Sequence, residues 1–208
     1  MTSFSDLIDG YRRFRQNGWT SQRERWNSLA ASQSPKVMVI ACCDSRVDPA
    51  TIFDASPGEM FVVRNIANLV PPFEATPGRH GVSAALEFAV TQLEVEEIIV
   101  MGHGQCGGIA AAMNRRFEDA APGEGGFIAS WIHMLDDARD RVTHEHGPDA
   151  THELELEAIK TSLVNLRSFA CIRERIADGR LSLRGAWFSI DAGKLHVLDT
   201  ATGEFKPA

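Results

Sequence analysis

Two short stretches carry the residues best able to do chemistry. The first is Cys42-Cys43-Asp44-Ser45-Arg46, at the end of the apolar run Val37-Met38-Val39-Ile40. The second is His103-Gly104-Gln105-Cys106, at the end of Ile98-Ile99-Val100-Met101, about sixty residues later. A thiol from the first stretch, with the imidazole and thiol of the second, makes a donor set suited to zinc. Zinc prefers four tetrahedral ligands, so three protein ligands leave a place for water. That water has a lowered pKa and becomes a hydroxide nucleophile near neutral pH. Asp44 can accept a hydrogen bond from it, and Arg46 can fix the carboxylate. Asp44 is also placed to close the fourth position itself. Neighbours on an extended chain point to opposite faces, so only one of Cys42 and Cys43 should ligate.

The chemistry needs both stretches at one point, and the pattern of the chain supplies it. Both apolar runs read as buried strands, short and rich in β-branched residues. In a parallel sheet, ligands collect at the carboxyl ends of the strands, where these polar residues sit. A third strand reads over 60–64. Helical patterns fall between the strands: a short helix capped by Asp48 with Pro49 at its first position, and a stripe of Val82, Leu86, Ala89, Val90 and Leu93 over 79–93. Ile109 to Met113 begins another helix. Ile128, Trp131, Ile132, Leu135 and Val142 share one helical face, which Gly147-Pro148 ends. Thr151 is placed to cap a further helix running to Asp178-Gly179, with Glu153 and Glu155 near its positive end. Residues 183–190 and 195–198 read as a hairpin about Asp191-Ala192-Gly193-Lys194. Strands alternating with helices predict an α/β fold: a mostly parallel central sheet flanked by helices, with an antiparallel hairpin at the C-terminal edge. Residues 3–31 read as helical, rich in Arg and aromatic residues, either packed on their own domain or lying as an arm across a partner. With no repeat, low-complexity tract or linker, residues 1–208 read as one domain, 1–32 being the helical arm.

Size and composition set limits. The chain has 208 residues and a formal net charge of −7, with no basic run, which argues against nucleic acid and anionic membrane as partners. No apolar stretch is long enough to span a membrane, and the N-terminus has no signal-peptide pattern. The four cysteines, Cys42, Cys43, Cys106 and Cys171, do not form a secreted disulfide pattern, so a cytoplasmic location is expected.

Gly102-His-Gly-Gln-Cys-Gly107 matches G-x-G-x-x-G after a strand and before a helix. A dinucleotide site also needs an acidic residue closing another strand about twenty residues on. That region here is Phe117-Glu118-Asp119-Ala120-Ala121-Pro122-Gly123, which is no strand, so the dinucleotide reading is rejected. Gly104 and Gly107 can simply permit tight turns. Cys171 reads as core, and His144, Glu145 and His146 as solvated residues at a helix end.

Cys-x-Asp-Ser-Arg followed by His-x-x-Cys resembles the β-class carbonic anhydrases. Phe61-Val62-Val63-Arg64-Asn65-Ile66-Ala67-Asn68 and Gly107-Gly108 also look like that family, and the likeness runs from about Gln33 to the C-terminal hairpin. The resemblance implies reversible hydration of carbon dioxide to bicarbonate and a proton by a zinc-bound hydroxide. It selects Cys42, His103 and Cys106 as metal ligands, one Zn2+ per chain, with Asp44 and Arg46 as catalytic residues. It further implies that Gln33, Phe61, Phe88 and the amide of Gly107 form the substrate pocket, Phe88 standing where Tyr is common. That pocket lies at a subunit interface in the family, which implies a homodimer that can pair further into a higher even-numbered oligomer, and the N-terminal arm with it.

The resemblance also bears on regulation. One subgroup is shut at low pH by bicarbonate bound at a second site, with the aspartate swung onto zinc. It carries Trp at the position of Val39, Arg at Arg64 and Tyr at Phe188. This chain keeps only the arginine, so an open resting site is expected, with Asp44 paired to Arg46.

Overall fold

The computed structural model describes residues 2–76, 78–147 and 150–208. Two compact units emerge, Met1–Ser34 and Pro35–Ala208. The first is helical, as its pattern predicts: α1 (Phe4–Arg13), a π turn (Phe14–Gly18), α2 (Trp19–Ser21) and α3 (Arg23–Ala31). A reciprocal capping box starts α1, the Ser3 hydroxyl accepting from the Asp6 amide and the Asp6 carboxylate from the Ser3 amide. Phe14 meets Trp26 edge-on, and Arg15 lies 3.9 Å over the Trp19 ring. Phe4, Leu7, Tyr11 and Phe14 fall at helical spacing and are all exposed.

The second unit is built on a six-stranded sheet of order β2-β1-β3-β4-β5-β6. Its strands are β1 (Val37–Cys42), β2 (Met60–Asn65), β3 (Glu97–His103), β4 (Ser182–Ser189), β5 (Lys194–Asp199) and β6 (Glu204–Pro207). The first four in sequence pair in parallel, and β5 and β6 add antiparallel strands at one edge. This is the expected α/β architecture, with β6 as an extra strand that its short Glu-Phe-Lys-Pro sequence does not advertise. Helices α4 (Pro49–Ile52) and α5 (Gly81–Thr91) lie in the first two crossovers. Asp48 caps α4 by accepting the Thr51 amide, with Pro49 at the first position.

The long crossover from β3 to β4 carries α6 (Gly107–Met113), α7 (Gly126–Ile132), α8 (Asp136–His146), α9 (Ala150–Leu166) and α10 (Ala170–Ala177). It departs from expectation in three places. The predicted face from Ile128 to Val142 is split by a 3-10 turn at His133–Leu135. The helix expected to run to Asp178 breaks after Leu166 and restarts at Ala170, and Gly179 then takes the left-handed stop at φ 70°. Thr151 lies inside α9 rather than capping it. Pro77 and Pro148, expected breakers, lie outside the described residues.

Alternation on β1 and β3 sets the packing. Met38, Ile40, Ile98 and Val100 join Leu86, Val90, Ile159, Leu166 and Ile172 in one core, while Val39, Ala41 and Met101 face the other way. A separate cluster at the carboxyl ends of the strands gathers Cys42, Cys106, Val47, Leu69, Ile109, Leu135, Val142 and Leu154. Helix α9 packs on β3, β4 and α6. It comes so close that a Cβ on Gly102 would stand 2.8 Å from Ile159 Cδ1, so the strand leading to His103 needs glycine there.

Candidate metal centre

Parallel pairing of β1 with β3, Ala41 opposite Met101, puts the ends of the two strands side by side. Cys42 and His103 are the last residues of these strands, and Cys106 is the N-cap of α6. Their donor atoms lie within 4.8 Å of one another, and all three residues are buried. Among the described residues this is the one group of three or more His, Cys, Asp or Glu side chains arranged to hold a metal. Cys43, its neighbour, is exposed and outside the group. The exposed pair His146 and Glu145 stays a helix-end contact.

The donor set fits zinc. The Cys42 and Cys106 sulfurs are 3.9 Å apart. Two thiolates on a tetrahedral zinc at Zn–S of about 2.3 Å stand about 3.8 Å apart, and a disulfide would need about 2.05 Å. His103 Nδ1 lies 2.9 Å from the Gly104 carbonyl, which only accepts, so Nδ1 carries the proton. Nε2 is then the lone-pair nitrogen, and it is buried without a protein hydrogen-bond partner. A buried polar atom with no partner calls for a ligand. The two thiols titrate as one unit. The bond from Cys106 pulls Cys42 down to about 4, while the same bond pushes Cys106 up. Burial lowers the His103 pKa, and Cys42, the Gly104 carbonyl and the Asp44 charge together outweigh it and leave it raised. A cation entering this triangle displaces the protons that the thiols share.

Asp44 stands at the rim. Arg46 donates from Nε to Oδ1 at 2.9 Å and from Nη2 to Oδ2 at 2.7 Å, and its backbone amide also donates to Oδ1 at 3.0 Å. These bonds hold the Asp44 carboxyl far below the usual carboxylate range. Asp44 Oδ2 is 4.0 Å from His103 Nε2. Arg46 also donates to the Gln105 carbonyl at 3.0 Å, tying the two motif loops together. The left-handed turn in the second loop falls on Gln105 at φ 58°, not on Gly104 or Gly107 as the tight-turn reading expected.

A profile of the carbonic anhydrase family matches residues 37–195. A carbonic anhydrase of Pseudomonas aeruginosa is 37% identical over 203 residues, which is 96% of this chain and 90% of the relative. This chain belongs to the β-class carbonic anhydrase family. Beta carbonic anhydrase 3 of Arabidopsis thaliana is 40% identical over 195 residues, 92% of this chain and 75% of the relative. The solved β-carbonic anhydrase CcaA superposes with a TM-score of 0.89 at 32% identity, covering 99% of this chain and 92% of that one. Members of the family use zinc, and the triangle of Cys42, His103 and Cys106 is where this member's residues fit it.

The remaining sequence-named residues are placed less simply. Gly107 is exposed at the start of α6, with open space where a side chain would be. Phe61 and Phe88 stack on each other, ring centroids 5.9 Å apart. Phe61 is paired with Met38, while Cys42 is paired with Asn65, four residues further along. That offset is roughly 13 Å at the strand rise, so within one chain the two rings do not line the metal triangle. Gln33 belongs to the N-terminal unit and is exposed there.

Three residues outside the two metal motifs support the site, and only Arg64 among them is singled out by the sequence. Arg64 donates to the carbonyls of Cys42 at 2.9 Å, Asp44 at 2.7 Å and Val47 at 3.2 Å, and to the Asp48 carboxylate at 3.2 Å. It thereby holds the loop that carries two site residues. Glu155, expected near the end of a helix dipole, is instead buried behind Cys106 and accepts its amide at 3.2 Å. Trp187 donates its indole N–H to the same carboxylate at 3.1 Å. A carboxylate inside the apolar stripe of α9, next to Leu154 and one turn from Ala158 and Ile159, was the available signal.

Proposed function

We propose that this chain hydrates carbon dioxide at the mouth of the Cys42–His103–Cys106 triangle, on the side of Asp44. The reaction is that of the family, reversible conversion of carbon dioxide to bicarbonate and a proton. Zinc supplies the chemistry there: as a Lewis acid it makes water acidic enough to act as a nucleophile near neutral pH. The chain's own residues do the rest. Cys42, His103 and Cys106 hold the ion through two sulfurs and Nε2. Asp44 is ionised and can only accept, so it takes the O–H of the attacking water and turns a lone pair toward the substrate. Arg46 keeps Asp44 charged and fixes its rotamer. The open space at the Gly107 amide leaves room for a substrate oxygen to approach.

The observation that carries this reading is the Asp44–Arg46 pair beside a triangle with one unpartnered nitrogen. With both oxygens on Arg46, Asp44 is engaged away from the triangle, which supports an open resting site. Zinc analysis and stopped-flow hydration on one sample test it. About one zinc per chain with no hydration at any pH would overturn the catalytic reading.

The working form is read as a homodimer that can pair further, with Phe61, Phe88 and Gln33 serving the pocket of a second copy. The separation of Phe61 and Phe88 from their own triangle supports this. So does the apolar surface left on one chain: Phe4, Leu7 and Tyr11 on α1 with Phe14 in the π turn after it, and Val62 and Phe88 at the β2 edge. Two β-carbonic anhydrases of Sordaria macrospora, matched at 28% identity and a TM-score of 0.81, are described as tetrameric. Four free thiols favour a reducing compartment such as the cytoplasm. Among the described residues no helix is long and apolar enough to cross a membrane.

A further inference from the structure

The loop from His103 to Cys106 supplies two of the three metal-ligating side chains, and it is not held by its own backbone alone. Its turn places Gln105 in the left-handed region, which side-chain-bearing residues disfavour. Arg46 holds the Gln105 carbonyl at 3.0 Å, and α9 and β4 meet the loop from another side.

Glu155 sits there, 4% exposed, on the face of α9 that otherwise buries Ala150, Leu154, Ala158 and Ile159. One oxygen accepts the Cys106 amide at 3.2 Å. The other accepts the Trp187 indole N–H at 3.1 Å and lies 3.5 Å from His152 Nδ1. The Trp187 ring presses on the loop from below: a Cβ on Gly104 would stand 3.1 Å from it. The Gly104 carbonyl in turn holds His103 Nδ1 at 2.9 Å, and the Gly104 amide donates to the Phe188 carbonyl at 2.9 Å, one residue beyond Trp187. One buried carboxylate therefore reaches Cys106 directly and His103 through Trp187 and Gly104.

A buried carboxylate is costly unless its partners satisfy it, and an apolar side chain of the same size would fill α9's stripe without that cost. The partners it has found are at or against the metal loop. We propose that Glu155 and Trp187 form a positioning unit that sets the spacing and orientation of His103 and Cys106 toward the metal. The inference rests on the reading of Cys42, His103 and Cys106 as zinc ligands. Glu155 touches neither substrate nor metal; it acts through the loop. The competing account is that Glu155 only anchors α9, in which case its loss lowers stability and leaves metal behaviour alone.

Glu155→Gln separates the two. Glutamine keeps the volume but has one acceptor oxygen, so its NH2 group must face either the Cys106 amide or the Trp187 indole, both donors. Trp187→Phe removes the indole donor together with the Cζ2 and Cη2 atoms that press on Gly104, and leaves the bond of the Cys106 amide to Glu155 in place. Zinc release to a chelator and the thiolate-to-metal absorption of the cobalt-substituted protein are measured for each. Release from Glu155→Gln is expected to be about 10–100-fold faster, the usual size of such supporting contacts, with an altered cobalt spectrum. Trp187→Phe is expected to show a smaller change of the same kind, and the double variant to be no worse than Glu155→Gln. Lys160→Ala, on α9 but paired with Glu157 rather than with Glu155 or Trp187, serves as control and is expected to match the wild type in both readouts. A fall in Tm with zinc release and cobalt spectrum unchanged would overturn the proposal. If Glu155→Gln does not fold, Trp187→Phe decides on the same two readouts, and wild-type behaviour there overturns it. Failure of the wild-type chain to hold zinc would instead sink the ligand assignment, and the positioning claim with it.

Discussion

Arg46 grips the Asp44 carboxylate with two side-chain nitrogens, at 2.9 and 2.7 Å, and leaves it ionised at the rim of the metal triangle. A carboxylate so held has an acceptor role and no donor role. Asp44→Asn should therefore keep zinc and the fold but lose hydration activity by about 10²-fold or more, the usual scale for a positioned proton acceptor. The amide also presents an N–H2 group to Arg46 and loosens the loop. Normal stopped-flow rates for the variant at neutral pH would remove Asp44 from the mechanism.

The ligand assignment makes a sharper contrast, between two adjacent cysteines. Cys42 is buried in the triangle, and Cys43 is exposed with its thiol pKa raised by burial and by the nearby Cys42 charge. Cys42→Ser, His103→Ala and Cys106→Ser should each leave purified protein nearly free of zinc. Cys43→Ser should retain about one zinc per chain. Metal analysis of the four proteins checks it, and the reverse pattern for the two neighbours would mean the assignment is off by one.

Apolar residues left bare on one chain predict its assembly. Phe88 is 45% exposed and stacks on Phe61 beside the edge strand β2. Phe88→Arg should shift the sedimentation of the protein toward a single chain and lower activity with it, while zinc content stays. A variant that sediments as the wild type does, with full activity, would place the interface elsewhere.

How far the site could be read from sequence depends on how local each contact is. Cys42, Asp44, Arg46, His103 and Cys106 lie in two short motifs, each following an apolar β-branched run, so strand ends and parallel pairing alone bring them together. Glu155 and Trp187 reach the site from 49 and 81 positions beyond Cys106, through the packing of α9 and β4, which no spacing rule encodes. The break between α9 and α10 was hidden for a related reason. Leu166 and Ile172 are both buried in one core, so the apolar pattern runs through the kink. Phe61 and Phe88 read as core by type, and only the register shows how far they stand from their own triangle.

Acid sensitivity should come partly from α9's exposed side. Burial raises the Glu157 pKa, but the bonds from Lys160 and Arg141 outweigh it and leave the group lowered overall. A carboxylate depressed in the folded state stabilises it fully above the unfolded value of about 4.3, and that contribution is lost as pH falls through the folded value. Both partners reach solvent, so the contribution is about 1 kcal/mol at most. Glu157→Gln should lower Tm slightly at pH 7, and the difference should shrink as the pH falls below the unfolded value. A loss of Tm that stays the same throughout that acid range would assign the effect to packing instead.

Arg64 decides whether this chain carries a second, regulatory bicarbonate site. A guanidinium has five N–H donors, and Arg64 spends four of them: on Cys42 O, Asp44 O, Val47 O and the Asp48 carboxylate. Val39 is fully buried among apolar residues of β1 and β3 and brings no donor, and Phe188 brings no hydroxyl. An anion entering there would have to break the Arg64 contacts that hold Asp44's loop, with nothing at Val39 or Phe188 to replace them. Activity should therefore rise smoothly with pH as one water loses its proton, the more active form being the deprotonated one. Added bicarbonate should act as an ordinary product inhibitor with no steep acid-side onset. Arg64→Met should lower Tm and loosen zinc together, because the backbone of both Cys42 and Asp44 loses its support. A cooperative pH–rate profile that bicarbonate shifts toward higher pH, and that Arg64→Met abolishes, would show that the arginine is held in reserve for an anion after all.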